Sequence, residues 1–349
     1  MPQAVVLELV GEKPPLYPAR YAHGLFFALL SRVSPELAQK LHEAPRKPFT
    51  LAPLPRAGPE GATLKGTLRL RLTTLDDGLF APFLRALLEA APDGLPLGDS
   101  SYRLARVLAT REGHPLAGAT SWEELKEAPK REKVTFRFLT PTVFATSKPG
   151  GRTRYTPLPD PRLIAGSLLD KWQAHSPFPY NPKEEAALRG LFELDLEVAG
   201  FRNLRFHRVQ AGKGFFPGFT GEMTLRLWSQ SLEAREALGR LHALAFFSGV
   251  GAKSPYGMGL AVPLERARRP PYANPRYGIG GLRLLEGLFL NRIPTLSPQS
   301  RSHRSRTGKT PFSLGSFPCA LTHNPPACEN GLKTPRLEPL PGGGRCKPR

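Results

Sequence analysis

Along the first 265 residues, hydrophobic and polar positions alternate in a repeating order of short strands and helices. Val5, Leu7 and Leu9 mark a strand over 4–10, and a helix is expected from Pro18 to Arg32, apolar at Tyr21, Leu25, Ala28 and Leu29. Ser34-Pro35 reads as an N-cap followed by proline at the first helical position, opening a second helix to about Glu43. A strand is predicted over 49–54. Leu64, Leu68, Leu70 and Leu72 then alternate with Lys65, Thr67, Arg69 and Arg71, which predicts a strand with a basic outer face. A helix over 79–91 carries Phe80, Leu84, Leu87 and Leu88 on one side, and a strand over 102–110 closes the unit.

After a connector at 121–128 the order recurs. Val134, Phe136 and Phe138 alternate with Lys133, Thr135 and Arg137. Asp160-Pro161 caps a helix to about His175, strands are predicted over 204–209 and 222–228, and Ser231 opens a helix through Phe247. A glycine-rich loop leads to a last strand over 258–264. Two β-α-β-β-α-β units follow, so the fold class is α+β: two tandem ferredoxin-like, RRM-like domains over 1–125 and 126–265. Open antiparallel sheets of this kind often serve as single-stranded RNA platforms.

Residues 266–349 depart from the pattern. They hold thirteen prolines and ten glycines, and all three cysteines, Cys319, Cys328 and Cys346. This composition predicts a disordered basic tail, or one foreign to the native coding sequence. The chain carries a net charge of +20. The tail supplies 15 Lys+Arg against 3 acids, leaving 34 against 26 in the body, which is still basic. Such a balance favours a polyanionic partner, nucleic acid first. The start has no basic segment before its apolar stretch and no apolar run approaches a spanning length, so a cytoplasmic protein is expected. A cysteine-free body excludes disulfides and thiolate metal sites there.

The most specific segment is Gly249-Val250-Gly251-Ala252-Lys253-Ser254-Pro255-Tyr256-Gly257-Met258-Gly259. Glycine permits close backbone approach to phosphate, whereas a tight helix-to-strand connection accounts for only one or two such glycines. It is not a Walker A loop, because a helix precedes it and the spacing differs. Its form, G-x-G-x-K-x-x-x-G-x-G before a last strand, resembles the signature of the CRISPR repeat-processing endoribonucleases of the RAMP superfamily. Phe138-Leu139-Thr140-Pro141-Thr142 and the segment from Leu41-His42 to Phe49-Thr50 are similar to two further regions of that family. The resemblance spans residues 1 to about 265. It implies metal-independent cleavage of precursor CRISPR RNA within each repeat by 2′-hydroxyl attack, leaving 2′,3′-cyclic phosphate and 5′-hydroxyl ends and yielding the guide RNA. No cofactor is expected. The implied partners are CRISPR repeat RNA, as a stem-loop, with effector-complex proteins and a homodimer as further candidates.

Such cleavage needs a base, an acid and a cation. Histidine suits the first two, its pKa lying near neutrality. A chain turn at Val33-Ser34 brings His23 and His42 level, about 15 and 12 Å along their helices at 1.5 Å per residue. The resemblance makes His42 the catalytic histidine, followed by a cation at Arg46 or Lys47, and assigns Tyr21 or His23 of the first helix to the site. Lys47 suits the phosphorane charge, or is merely solvated beside Pro48. Gly249, Gly251, Lys253, Ser254, Gly257 and Gly259 are expected to grip RNA, with Lys148, Arg152 and Arg154 of a second loop. His207, on a strand beside Arg205, reads as solvent-facing, with RNA contact as its other reading, and His242 as a satisfied, partly buried residue. The rival reading is a non-catalytic RNA-binding subunit of an effector complex, which needs no paired histidines.

Overall fold

A computed structural model describes residues 1–12, 18–54, 66–147, 153–211 and 214–265. The predicted roles of Lys65, Lys148, Arg152 and the tail 266–349 lie outside these residues. The first half runs β1 (Gln3–Val10), α1 (Pro18–Val33), α2 (Pro35–Glu43), β2 (Phe49–Pro53), β3 (Thr67–Thr74), α3 (Asp77–Ala90), β4 (Leu95–Leu97) and β5 (Ser100–Leu108). Two short elements, β6 (Gly118–Ala119) and α4 (Trp122–Lys126), lead onward. The second half runs β7 (Lys133–Thr142), β8 (Phe144–Ser147), β9 (Thr153–Thr156), α5 (Pro161–His175), α6 (Pro182–Asp195), β10 (Leu196–Ala211), β11 (Gly214–Leu227), α7 (Leu232–Ser248) and β12 (Ala261–Pro263).

The main sheets are ordered β2-β3-β1-β5-β4 and β10-β11-β7-β12. Both place the first strand of the unit beside the third, with the second and fourth outside, which is the ferredoxin-like order of a split βαβ unit. In β1, Val5, Leu7 and Leu9 face Phe26, Leu29 and Leu30 of α1 and Leu79, Phe83 and Leu87 of α3 in the first core. Phe136, Phe138, Met223 and Leu225 pack under Ile164, Leu168 and Trp172 of α5 and Leu238 and Leu241 of α7 in the second. Ala4 and Leu75 of the first half join that second core, so the reverse face of the first sheet is itself covered.

This burial corrects three expectations. Arg71, expected on a basic outer face, is only 1 % exposed. It donates to Leu116 O and Phe246 O, both at 2.7 Å, and lies 4.5 Å from the Phe246 ring. A cation at the carbonyl end of α7 is favoured by the helix dipole, and Arg71 thereby ties β3 to the second half. Arg69 and Arg106 instead pair with the buried Glu8. Burial works to raise the Glu8 pKa, and the two guanidiniums outweigh it and hold it low. In α3 the inward stripe is Leu79, Phe83, Ala86, Leu87 and Ala90, while Leu88 points outward at 53 % exposure. Ser34 precedes α2 without a side-chain cap bond, so Pro35 sets that helix start alone.

Five elements are absent from the sequence pattern or outrun it. Asn181 opens α6 with a capping box to Glu184; β8 and β9 form a separate hairpin; and β10 and β11 run much longer than predicted. Among the described residues no helix is long and apolar enough to cross a membrane.

Candidate active site

Helix α1 turns its apolar stripe of Ala22, Leu25, Phe26, Leu29 and Leu30 into the first core, leaving His23 and Phe27, one turn apart, at its margin. The turn at Ser34 folds α2 back beside α1, so His42, in the last turn of α2, returns to the same place. The Phe27 ring lies between the two imidazoles, 5.0 Å from His23 and 5.7 Å from His42. Lys47 curls over the end of α2 and donates to His42 O at 2.7 Å and Ala44 O at 2.6 Å. A cation over these last carbonyls satisfies acceptors the helix leaves open. Its pKa is lowered by burial. His23 is pushed down to about 4, first by burial and then by the charges of His42 and Lys47.

The second half completes the cluster. Tyr256 stacks on His23 with ring centres 4.1 Å apart and planes 15° from parallel. It ends a short 3-10 turn, Ser254–Tyr256, set between two left-handed residues, Lys253 (φ 62°) and Gly257 (φ 88°). A Cβ on Gly257 would lie 2.6 Å from the Ala19 Cβ of α1, so the missing side chain is what lets the loop seat on that helix. The other three glycines answer to the fold as well: a Cβ would meet Gly259 O at Gly249, Val143 O at Gly251 and Val250 O at Gly259. Packing therefore accounts for all four glycines, against the expectation of one or two. The amides of Gly249, Val250, Gly251, Ala252, Tyr256, Met258, Gly259 and Leu260 all donate within the protein. These amides form no phosphate cradle, and Ser254, expected to touch RNA, is buried. The loop presents its side chains instead. Lys253 Nζ lies 5.3 Å from the Phe216 ring centre, 5.7 Å from Tyr256 and 5.8 Å from Tyr155.

Of the expected residues, the fold brings His23, His42 and Lys47 together, with Lys253 alongside on the Tyr256 loop. Tyr21 is not among them. Two positions from His23, it faces the other side of α1 and packs over Gly98, whose Cβ would lie 2.9 Å from its ring. Arg154 is exposed on β9. His242 is buried, with Nε2 3.0 Å from Thr135 O, as its sequence context suggested. His207, expected to face solvent, is half-buried, with Nε2 2.7 Å from Thr220 Oγ1.

Further residues join this surface without a local signal in the sequence. Tyr256 was visible as the one aromatic among the loop glycines, but only the tertiary fold places it on His23. Arg202, Arg205 and Arg208 are exposed along the edge strand β10, with Phe201 and Phe206 also exposed. Arg208 covers the Phe215 ring at 4.1 Å. Cations interleaved with exposed rings are the usual furniture of single-stranded nucleic-acid surfaces. Among the described residues no group of three or more His, Cys, Asp or Glu side chains is placed to hold a metal ion.

Comparison with known proteins gives a consistent picture. Residues 1–127 match the family model of the CRISPR Cas6 N-terminal domain, and residues 136–261 match that of the CRISPR-associated endoribonuclease Cas6. Among solved structures, the chain is similar to a Cas6 (TTHB231) product complex: 97% identity over 76% of this chain and 100% of that one, TM-score 0.74. It is similar to Thermus thermophilus Cas6 (TTHB231), at 88% identity over 76% and 98% of the two chains, TM-score 0.62. It also resembles a Cas6 (TTHA0078) product complex, at 28% identity over 76% and 100%, TM-score 0.62. A search of curated proteins returned no match.

Proposed function

The chain belongs to the Cas6 family of CRISPR-associated endoribonucleases, and from that premise we propose that it cuts precursor CRISPR RNA within the repeat by a metal-independent transesterification. The observation that carries this reading is one cluster, in which His23 and His42 both meet the Phe27 ring, Tyr256 stacks on His23 and Lys47 bonds His42 O. With its pKa lowered, His23 is neutral at neutral pH and can take the proton of the attacking 2′-hydroxyl. His42, exposed at the end of α2, is the residue we assign to protonate the leaving 5′-oxygen. Lys47 uses two of its three donors on backbone carbonyls and keeps the third for the phosphorane oxygens. Tyr256 stacks on the His23 ring and holds it. A 2′,3′-cyclic phosphate and a 5′-hydroxyl result.

Grip on the RNA falls to Lys253, Arg154 and the arginines of β10, with Phe215 and Tyr155 offering faces for stacking. Phosphate contacts of this kind set the register, and base contacts choose the cut. The test is incubation with labelled cognate repeat RNA in excess EDTA. One cut bearing a cyclic phosphate is expected, and His42→Ala should abolish it while leaving RNA affinity within about a few-fold. Tight binding with no cut would instead make the chain a non-catalytic RNA-binding subunit.

A further inference from the structure

Helix α5 lies in the second half, away from both histidines, yet one of its faces holds both segments that build the site. Ser167, Asp170 and Lys171 stand at i, i+3 and i+4, which share a helix face. The Ser167 hydroxyl accepts from Gly251 N at 2.7 Å. Lys171 Nζ donates to Ser248 O at 3.0 Å and Gly249 O at 2.9 Å, at the root of the loop that carries Tyr256. Asp170 accepts from Arg46 at 2.9 Å, and Arg46 precedes Lys47 in the α2–β2 connection. Part of the Lys171 stem remains exposed, but its ammonium turns inward, and burial pushes its pKa down to about 7. Taking a lysine head out of water is costly, and here it meets the carbonyl end of α7, where Arg71 already reaches Phe246 O from the first half.

We infer that Ser167, Asp170 and Lys171 are positioning residues, which fix the glycine-rich loop against the α2–β2 connection and so hold Tyr256 on His23. Lys171 is the principal member. The Asp170–Arg46 pair is half-exposed and worth little by itself, whereas Lys171 orients the two carbonyls at which the chain leaves α7. The segment from that point to Gly257 starts from this departure angle and is held along its way by Ser167 and by Val143 O, and Gly257 rests directly on α1.

The inference rests on the reading of His23 and His42 as the catalytic pair, and the test separates the two. In the full chain, Lys171→Met keeps the stem and removes the donor. The readouts are the ring-current shift that Tyr256 imposes on the His23 imidazole protons, followed by NMR and assigned with His23→Gln, single-turnover cleavage at saturating protein, and RNA affinity. The expected result is a diminished shift, a cleavage rate down by about 100-fold, as loss of about 1 Å in placement can produce, and affinity within a few-fold. Lys171→Arg, which restores a donor, should recover part of both losses. Ser167→Ala, a milder change that serves if Lys171→Met does not fold, should lower the shift and the rate together by less. An unchanged shift in both variants overturns the positioning role, even if cleavage falls, because a purely structural cap would cost stability without moving Tyr256. A lost shift with undiminished cleavage upholds the hold on Tyr256 and overturns instead the part given to Tyr256 in the catalytic site.

Discussion

His23 shows how a single residue can be set by its neighbours rather than by its type. Half-buried at the edge of α1, stacked under Tyr256 and facing the charges of His42 and Lys47, it is held neutral down to about pH 4. His175 is lowered to about 4 as well, chiefly by burial. In the unfolded chain both take up a proton near pH 6.5, so their contribution to stability is complete above 6.5 and is lost as the pH falls towards 4. Urea midpoints measured from pH 7 to pH 5, above the range where Glu8 titrates, should therefore fall, and His23→Gln should flatten part of that slope. Slopes identical in wild type and variant would contradict the burial of this ring. At this scale the sequence was an uneven guide. That His23 and His42 meet was legible through the geometry of the helical hairpin, because it depends on neighbours near in sequence. Tyr256 reaches His23 across more than two hundred residues, and no local pattern reports that. Arg71 was misread because alternation tells which residues share a face, not whether a second half will cover it.

Among the elements, strands with clean alternation and helices with a broad apolar stripe stood where expected, β7 and α5 most clearly. Helix α6 escaped because it buries only Leu188 and Phe192, too sparse a stripe to raise a period. Strand β10 was expected only over 204–209 and runs from Leu196 to Ala211, because an exposed edge needs no alternation: its outer residues answer to solvent and ligand, not to a core. The glycine-rich loop was recognised, but its glycines answer to packing and backbone geometry. Gly259→Ala, at φ 74° with a Cβ 2.1 Å from Val250 O, is expected to cost more than about 1 kcal/mol in urea denaturation. Gly190→Ala, inside α6 with nothing within 4 Å of its Cβ, should gain about 0.5–1 kcal/mol in the same measurement. A neutral effect at Gly259 would mean that the loop relaxes freely and does not fix Tyr256.

The described residues form two ferredoxin-like units joined through polar and apolar contacts: Arg71 on the end of α7, Arg46 on Asp170, and Ala4 and Leu75 in the second core. That there are two such units was legible, since the order of strands and helices repeats; how they lock together was not, since it depends on side chains that read locally as surface. The family models end at residue 261, and the 97%-identical Cas6 is matched along its full length by 76% of this chain. A chain ending at Glu265 is therefore expected to cleave repeat RNA at a rate within about two-fold of the full chain. It should also show a shallower salt dependence of binding if the 15 cations of the tail contact phosphate. A truncated chain that binds but no longer cuts would assign the tail a part in the reaction.

The stacking of Tyr256 on His23 also has a temporal side. Translation delivers both histidines within the first 42 residues, and the first unit can begin folding while the second is still inside the ribosome. Until position 256 has emerged and α7 has docked, the nascent chain displays its imidazoles without the ring that covers one of them. The cluster is thus assembled late, from the two ends of the described chain, and the newborn enzyme stays incomplete beside the cell's own messenger RNA until nearly all of the body has been made.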